Sequence, residues 1–203
     1  LEDSGLPYYT DEKLPATSHA LARFLLAALR AVAGGYERES VIAVMKSGYA
    51  PLAFQEACEL ENYARENGIN RKKWLAPFTR GDEARAARCE VLRRKLIDPL
   101  EKAHKAVVAA GNARASLEAV MGLLADVRAY DTLLEEEKAL AAEGMAVRAG
   151  QNSQMWQALL ELFDQLYALA DGARIPLVRI ADRFECGFSA LSLAALPPAS
   201  HML

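Results

Sequence analysis

Met155-Trp156-Gln157-Ala158-Leu159-Leu160-Glu161-Leu162-Phe163-Asp164-Gln165-Leu166-Tyr167-Ala168-Leu169-Ala170 carries the strongest period in the chain. Met155, Trp156, Leu159, Leu160, Phe163, Leu166, Tyr167 and Ala170 recur at three- and four-residue steps, which places them on one face of an amphipathic helix. A strand would alternate at every second residue instead. Asp171-Gly172 follows as a stop signal, because glycine readily takes the backbone conformation that ends a helix.

The same period extends in both directions. Ser18 stands at an N-cap position before Leu21, Phe24, Leu25, Ala28, Leu29 and Val32, and Gly34-Gly35 ends that run. A shorter helix is expected from Arg38 to Lys46, burying Val41, Ile42, Val44 and Met45 and stopping at Gly48. Another begins after Pro51, carries Phe54, Cys58, Leu60 and Tyr63, and closes at Asn67-Gly68. Asp82-Glu83 open a long helix with Ala84, Ala87, Val91, Leu92 and Leu96 inward, kinked or interrupted at Pro99 and resuming to Ala110-Gly111. Ala113 to Arg128 buries Leu117, Val120, Met121 and Leu124, and Asp131 caps a helix from Thr132 to Ala142, set off by Gly144. Ile175-Pro176 open a last helix to about Cys186. Leu6 to Thr10 reads as a strand or extended lead-in, and Ser189 to Leu196 as a returning strand.

Composition agrees with a mostly helical, all-α fold. The 203 residues are 52% hydrophobic, enough for a sizeable core, and Gly and Pro are few. No apolar run reaches the roughly 18 to 20 residues that span a bilayer. Leu1-Glu2-Asp3 has no basic or apolar leader character, so neither secretion nor membrane insertion is expected. Cys58, Cys89 and Cys186 form no C-x-x-C pair, which fits a reducing, cytoplasmic compartment and plain structural thiols. The chain lacks an initiator Met and runs out after Pro197-Pro198, so both ends are expected to be cuts from a longer protein.

Catalytic patterns are missing. Lys46-Ser47 has Met45 before it and Ser40 where a phosphate-binding loop needs its first glycine. Asp82-Glu83-Ala84-Arg85 spells a helicase-like string, but Pro77 to Gly81 precede it where an apolar strand is required. Glu136-Glu137-Lys138 lies on a polar helix without the upstream Asp of a nuclease site. His19, His104 and His201 share no face with other ligand types. No catalytic residue, metal ligand or cofactor is assigned.

The net charge of −3 conceals a basic region. From Arg65 to Lys105 there are twelve Lys or Arg against six Asp or Glu. Arg71, Lys72, Lys73 and Arg80 stand in a loop beside Trp74, while Arg85, Arg88 and Lys95 fall in one sector of the next helix. One reading makes these residues contacts for DNA phosphates or a partner protein, with Trp74 as a stacking or packing anchor. The plainer alternative is a solvated loop and helix face with Trp74 in the core.

Several strings, taken in order, resemble a known family. They are Leu6-Pro7-Tyr8-Tyr9-Thr10-Asp11-Glu12-Lys13, Arg38-Glu39-Ser40-Val41-Ile42-Ala43-Val44-Met45-Lys46-Ser47-Gly48, Leu60-Glu61-Asn62-Tyr63, Asn67-Gly68-Ile69, Trp74, Asn152-Ser153-Gln154-Met155-Trp156 through Leu166, and Leu196-Pro197-Pro198. Their order and spacing are similar to the B subunit (AddB/RexB) of bacterial AddAB-type ATP-dependent helicase–nucleases. The resemblance is densest in the first 75 and last 55 residues, and rests on pattern alone from Pro99 to Gly150.

The resemblance implies a helical subdomain inserted in a superfamily-1-helicase-like domain, with short strands at both ends. Residues 1–17 would be the lead-in, 18–187 the helical insert and 188–203 the exit segment. It implies a parent that processes double-strand DNA ends for recombinational DNA repair in the bacterial cytoplasm, partnered by the A subunit of the helicase–nuclease and using ATP, Mg²⁺ and an iron–sulfur cluster held elsewhere. No membrane partner is expected. Two alternatives stay open: a protein-interaction scaffold that never meets DNA, and a ligand-binding domain of a regulator with Trp156, Phe163 and Tyr167 lining its pocket.

Overall fold

Eight α-helices account for most of the described chain in the computed structural model, which describes residues 14–170 and 172–193. In chain order they are α1 (Ala20–Ala33), α2 (Arg38–Met45), α3 (Phe54–Glu66), α4 (Glu83–Ala109), α5 (Ala113–Asp126), α6 (Ala129–Ala142), α7 (Ala146–Ala168) and α8 (Leu177–Ala190). Two short strands, β1 (Leu14–Pro15) and β2 (Ser192–Leu193), lie outside them. The mostly helical fold with short terminal strands expected from the sequence is what the structure has.

Local chemistry sets the helix ends. Asp82 accepts a hydrogen bond from the Arg85 N–H at 2.8 Å to start α4, and Asn112 does the same for Ala115 at 2.9 Å to start α5. The Glu56 carboxylate reaches back to the Ala53 N–H at 2.9 Å at the head of α3. Gly68, at φ +59°, turns the chain out of α3 in a conformation that a Cβ would disfavour.

Packing centres on α1, whose Leu21, Phe24, Leu25, Ala28 and Leu29 are all buried and which touches both α2 and α8. The helix pairs α4/α5 and α6/α7 pack closely, α3 lies on α4, and a single apolar core joins them. The stripe on α7 meets α8 through Phe163 and Phe184, edge to face at 4.9 Å. Each such buried aromatic contributes about 1.5 to 3 kcal/mol by its removal from water. Phe163 is therefore core, with Trp156 and Tyr167 packed at its margin. Trp156 lies against Tyr130 and Tyr167 under Arg114, each of the two rings half-buried.

Several local expectations are corrected. His19, not Ser18, caps α1 by accepting the Leu21 N–H at 3.2 Å, while the Ser18 hydroxyl donates to Pro15 O at 2.7 Å. Helix α4 is continuous through Pro99, so of the kink or interruption expected there the interruption is absent, and Leu96, Ile97 and Leu100 are buried on either side of the missing donor. Its inward face is rotated from the one expected. Ala84, Ala87 and Val91 are exposed, and Ala86, Cys89, Leu92, Arg93, Leu96, Ile97 and Leu100 form the buried stripe. Helix α6 starts at Ala129, since left-handed Arg128 turns the chain sharply, and Asp131 pairs with Arg128 at 2.8 Å in the first turn. Phe54, carried at the head of α3, is exposed. Helix α8 extends to Ala190, beyond the expected end at Cys186. The Leu6 to Thr10 segment lies outside the described residues.

The two strands bring the ends of the helical body together. Leu14 pairs with Leu193 and Pro15 with Ser192 in antiparallel register, and Ala16 N–H donates to Leu191 O at 3.0 Å. Among the described residues no helix is long and apolar enough to cross a membrane.

Candidate nucleic-acid interface

The basic loop is a 3-10 turn at Arg71–Leu75, held down at both ends. Tyr36 and Arg71 both adopt left-handed backbone, at φ 63° and 53°, and the Arg71 N–H donates to Tyr36 O at 2.9 Å. The Asn70 side chain accepts the Arg38 N–H at 2.8 Å, so the loop is anchored to the turn between α1 and α2.

Its other anchor is an ion pair that sequence reasoning missed. Arg93, on the buried face of α4, forms two hydrogen bonds to Glu90 at 2.6 and 2.7 Å and a third to Trp74 O at 3.0 Å. Glu90 in turn accepts the Phe78 N–H at 2.9 Å. Arg93, the Phe78 N–H and Arg94 together hold the Glu90 carboxyl down at about 2. The only sequence signal was the helical spacing of Glu90, Arg93 and Arg94, which a surface ladder would share.

Trp74 is 0% exposed. It packs on Phe78 at 5.9 Å between centroids, and Phe78 stacks on Tyr63 at 5.0 Å. The stacking role considered for Trp74 is corrected: its ring is covered on all sides, and it anchors the loop from beneath.

The cations divide into two sets. Arg85, Arg88 and Lys95 do share one sector of α4, and that sector faces α3. Arg85 grips Glu66 at 2.5 and 3.2 Å, Arg88 meets Glu59 at 3.3 Å, and Lys95 meets Glu56 at 2.8 Å. The hydrogen bond from Lys95, with the Ala53 N–H behind it, holds the Glu56 carboxyl below its usual range, and Arg85 does the same for Glu66. In the loop, Arg71 pairs with Glu37 at 2.5 Å and Lys73 donates to Gly68 O at 2.8 Å. The side chains of Lys72 and Arg80 are exposed and have no partner among the described residues. The backbone beside Arg80 is fixed by the Tyr63 hydroxyl, which donates to Arg80 O at 2.7 Å.

Glu56, Glu59 and Glu66 are spaced three and seven residues apart on α3, the same steps as Arg85, Arg88 and Lys95 on α4. That matching acidic stripe could have been read from the sequence. Among the described residues no group of three or more His, Cys, Asp or Glu is placed to hold a metal ion.

No protein-family model matches the chain. It is 29% identical over 214 residues to the B subunit of the ATP-dependent helicase/deoxyribonuclease of Heliobacterium modesticaldum, covering 97% of the chain and 18% of that protein. The same protein of Desulforudis audaxviator is 29% identical over 223 residues, and that of Geobacillus thermodenitrificans 26% over 221, each covering 97% of the chain and 19% of the relative. The chain therefore spans about a fifth of the length of these curated relatives. The resemblance read from the strings at Leu6, Arg38, Leu60 and Asn152 is borne out: along nearly its whole length, the chain is homologous to a stretch of the B subunit of ATP-dependent helicase/deoxyribonucleases.

Proposed function

We propose that the chain is a non-catalytic helical insert in the B subunit of a helicase–nuclease, and that it supplies contact surface to a machine that processes double-strand DNA ends in the bacterial cytoplasm. The observation that carries this reading is the pairing of Leu14 with Leu193, which joins the two ends of a self-contained helical body at one point. A segment that leaves a host domain and returns to it needs such a neck. ATP, Mg²⁺ and iron–sulfur chemistry belong to this reading only as properties of the parent, and no residue of this chain is assigned to them.

Within that reading Lys72 and Arg80 are the primary phosphate contacts, supported by their exposure and lack of carboxylate partners. Lys73 and Arg71 stand beside them. Arg85, Arg88 and Lys95 play a lesser part, because each would have to leave a carboxylate on α3. Gel-shift titration with blunt and forked duplexes at two salt concentrations tests this. Lys72→Glu with Arg80→Glu is expected to weaken binding and flatten its salt dependence. Binding indifferent to both charge reversals overturns the assignment.

The neutralised α3/α4 face favours a second reading, in which the insert meets no DNA and docks the A subunit of the helicase–nuclease. Co-purification of that partner, unaltered by Lys72→Glu with Arg80→Glu, together with no duplex binding, supports that version.

A further inference from the structure

The start of α8 departs from what helix stability favours. Its first turn contains no acidic residue and carries Arg179, although the positive end of the helix dipole repels a cation there. Arg183 follows four residues later on the same exposed face, and like charges at that spacing also oppose helix formation. The N-cap is Pro176, with no side-chain cap; Arg179 and Ile180 N–H donate to Pro176 O at 2.9 and 3.2 Å, and the Leu177 and Val178 N–H groups have no acceptor among the described residues.

Little neutralises these arginines. Arg174 and Arg183 have no partner among the described residues, and Arg179 meets Asp182 only at 3.7 Å. Glu185, further along α8, is turned away to pair with Arg30 on α1. Arg174, Arg179 and Arg183 line one open concavity of about 540 Å³. A second, of about 330 Å³ and bordered by His104, shares Arg174, Ile175 and Pro176 with it, so the two adjoin across the turn before α8.

We propose that this arginine face is a second surface for the phosphate backbone of duplex DNA, separate from the loop at Arg71–Arg80. Guanidinium groups pair with phosphate oxygens through two parallel hydrogen bonds, and the free Leu177 and Val178 N–H groups at the start of α8 favour the same charge. An arrangement that costs helix stability in the free chain is offset when an anion lies across it. The inference rests on the reading of the chain as part of a DNA-processing machine.

Fluorescence anisotropy with a labelled blunt duplex, titrated over a salt series, tests the proposal on the whole chain. The triple substitution Arg174→Gln, Arg179→Gln, Arg183→Gln removes exposed side chains, and circular dichroism checks that helicity is retained. The slope of log affinity against log salt is expected to fall by about 2 to 3, at roughly 0.9 for each lost phosphate contact. An unchanged slope and affinity overturn the proposal. Lys72→Gln with Arg80→Gln is measured alongside. If only the loop substitutions weaken binding, the arginine face is refuted and the loop assignment stands. If only the arginine substitutions do, the proposal stands and the loop assignment falls. If the unsubstituted chain binds no duplex at any salt concentration, both DNA surfaces are refuted and docking to the partner protein remains.

Discussion

Arg93 and Glu90, one turn apart on α4, hold each other through a two-pronged ion pair with only 7% and 15% of their side chains exposed. Because Arg93 also bonds Trp74 O and Glu90 bonds the Phe78 N–H, the pair fastens the basic loop to the longest helix. Removing one member of a buried pair leaves the other charge without compensation. Arg93→Leu is expected to lower unfolding stability by about 3 kcal/mol in urea titrations. Adding Glu90→Leu should recover part of that loss, and additive losses would show that the two side chains act separately.

Acid should release the same clamp. The Glu90 carboxyl is held at about 2 against an ordinary 4.5, so the folded state binds its proton less readily than the unfolded chain. Its contribution is complete above pH 4.5 and is lost as the pH falls toward 2. Glu90→Gln is expected to start less stable and to lose less over that window, as read by chemical denaturation at successive pH values.

His19 gives a second pH dependence, nearer neutrality. Its Nδ1 accepts the Leu21 N–H, and its Nε2 lies 3.0 Å from Asn152 Oδ1, so the neutral ring with its proton on Nε2 satisfies both. Burial pushes its pKa below the ordinary 6.5, against the opposing effect of the hydrogen bond it donates to Asn152 and with a smaller push from Arg23. The unfolded chain therefore takes up the proton first, and stability declines as the pH drops below 6.5. His19→Asn keeps a capping oxygen without a titratable ring. Its thermal midpoint should vary less between pH 5 and 7, and an equal slope in both proteins would exclude His19 as the source.

Burial of Trp74 predicts a spectroscopic result. With Trp156→Phe in place, Trp74 is the single tryptophan, and its emission is expected to be blue-shifted and poorly quenched by iodide. Adding DNA should leave that emission unchanged. Quenching by DNA would mean that bases reach the ring and that Trp74 does not stay beneath the loop. Trp74→Ala is expected to cost about 3 to 5 kcal/mol by emptying the site beneath the loop.

Much of the fold was legible because helix α1, helix α3 and the second half of helix α7 announce themselves by apolar spacing and by Gly34, Gly68 or Gly172 at their ends. The inward face of α4 was not, since a buried arginine interrupts its stripe and a hydrophobic count passes over Arg93. Pro99 does not interrupt α4 for a related reason: local propensity opposes a helix there, while the burial of Leu96, Ile97 and Leu100 holds it together. The grouping of Arg85, Arg88 and Lys95 on one sector was correct. What charge counting along the chain could not supply was their orientation toward Glu56, Glu59 and Glu66. Across the chain, local period predicted the elements, and pairing between elements decided which cations were free.

The antiparallel contact of Leu14 with Leu193 gives the chain a modular character. Paired residues of neighbouring antiparallel strands lie about 4.5 to 5.5 Å apart, a gap that a two-residue hairpin turn can close. A two-residue Asn-Gly turn between Leu14 and Leu193 could therefore stand in for the whole helical body without separating the two strands.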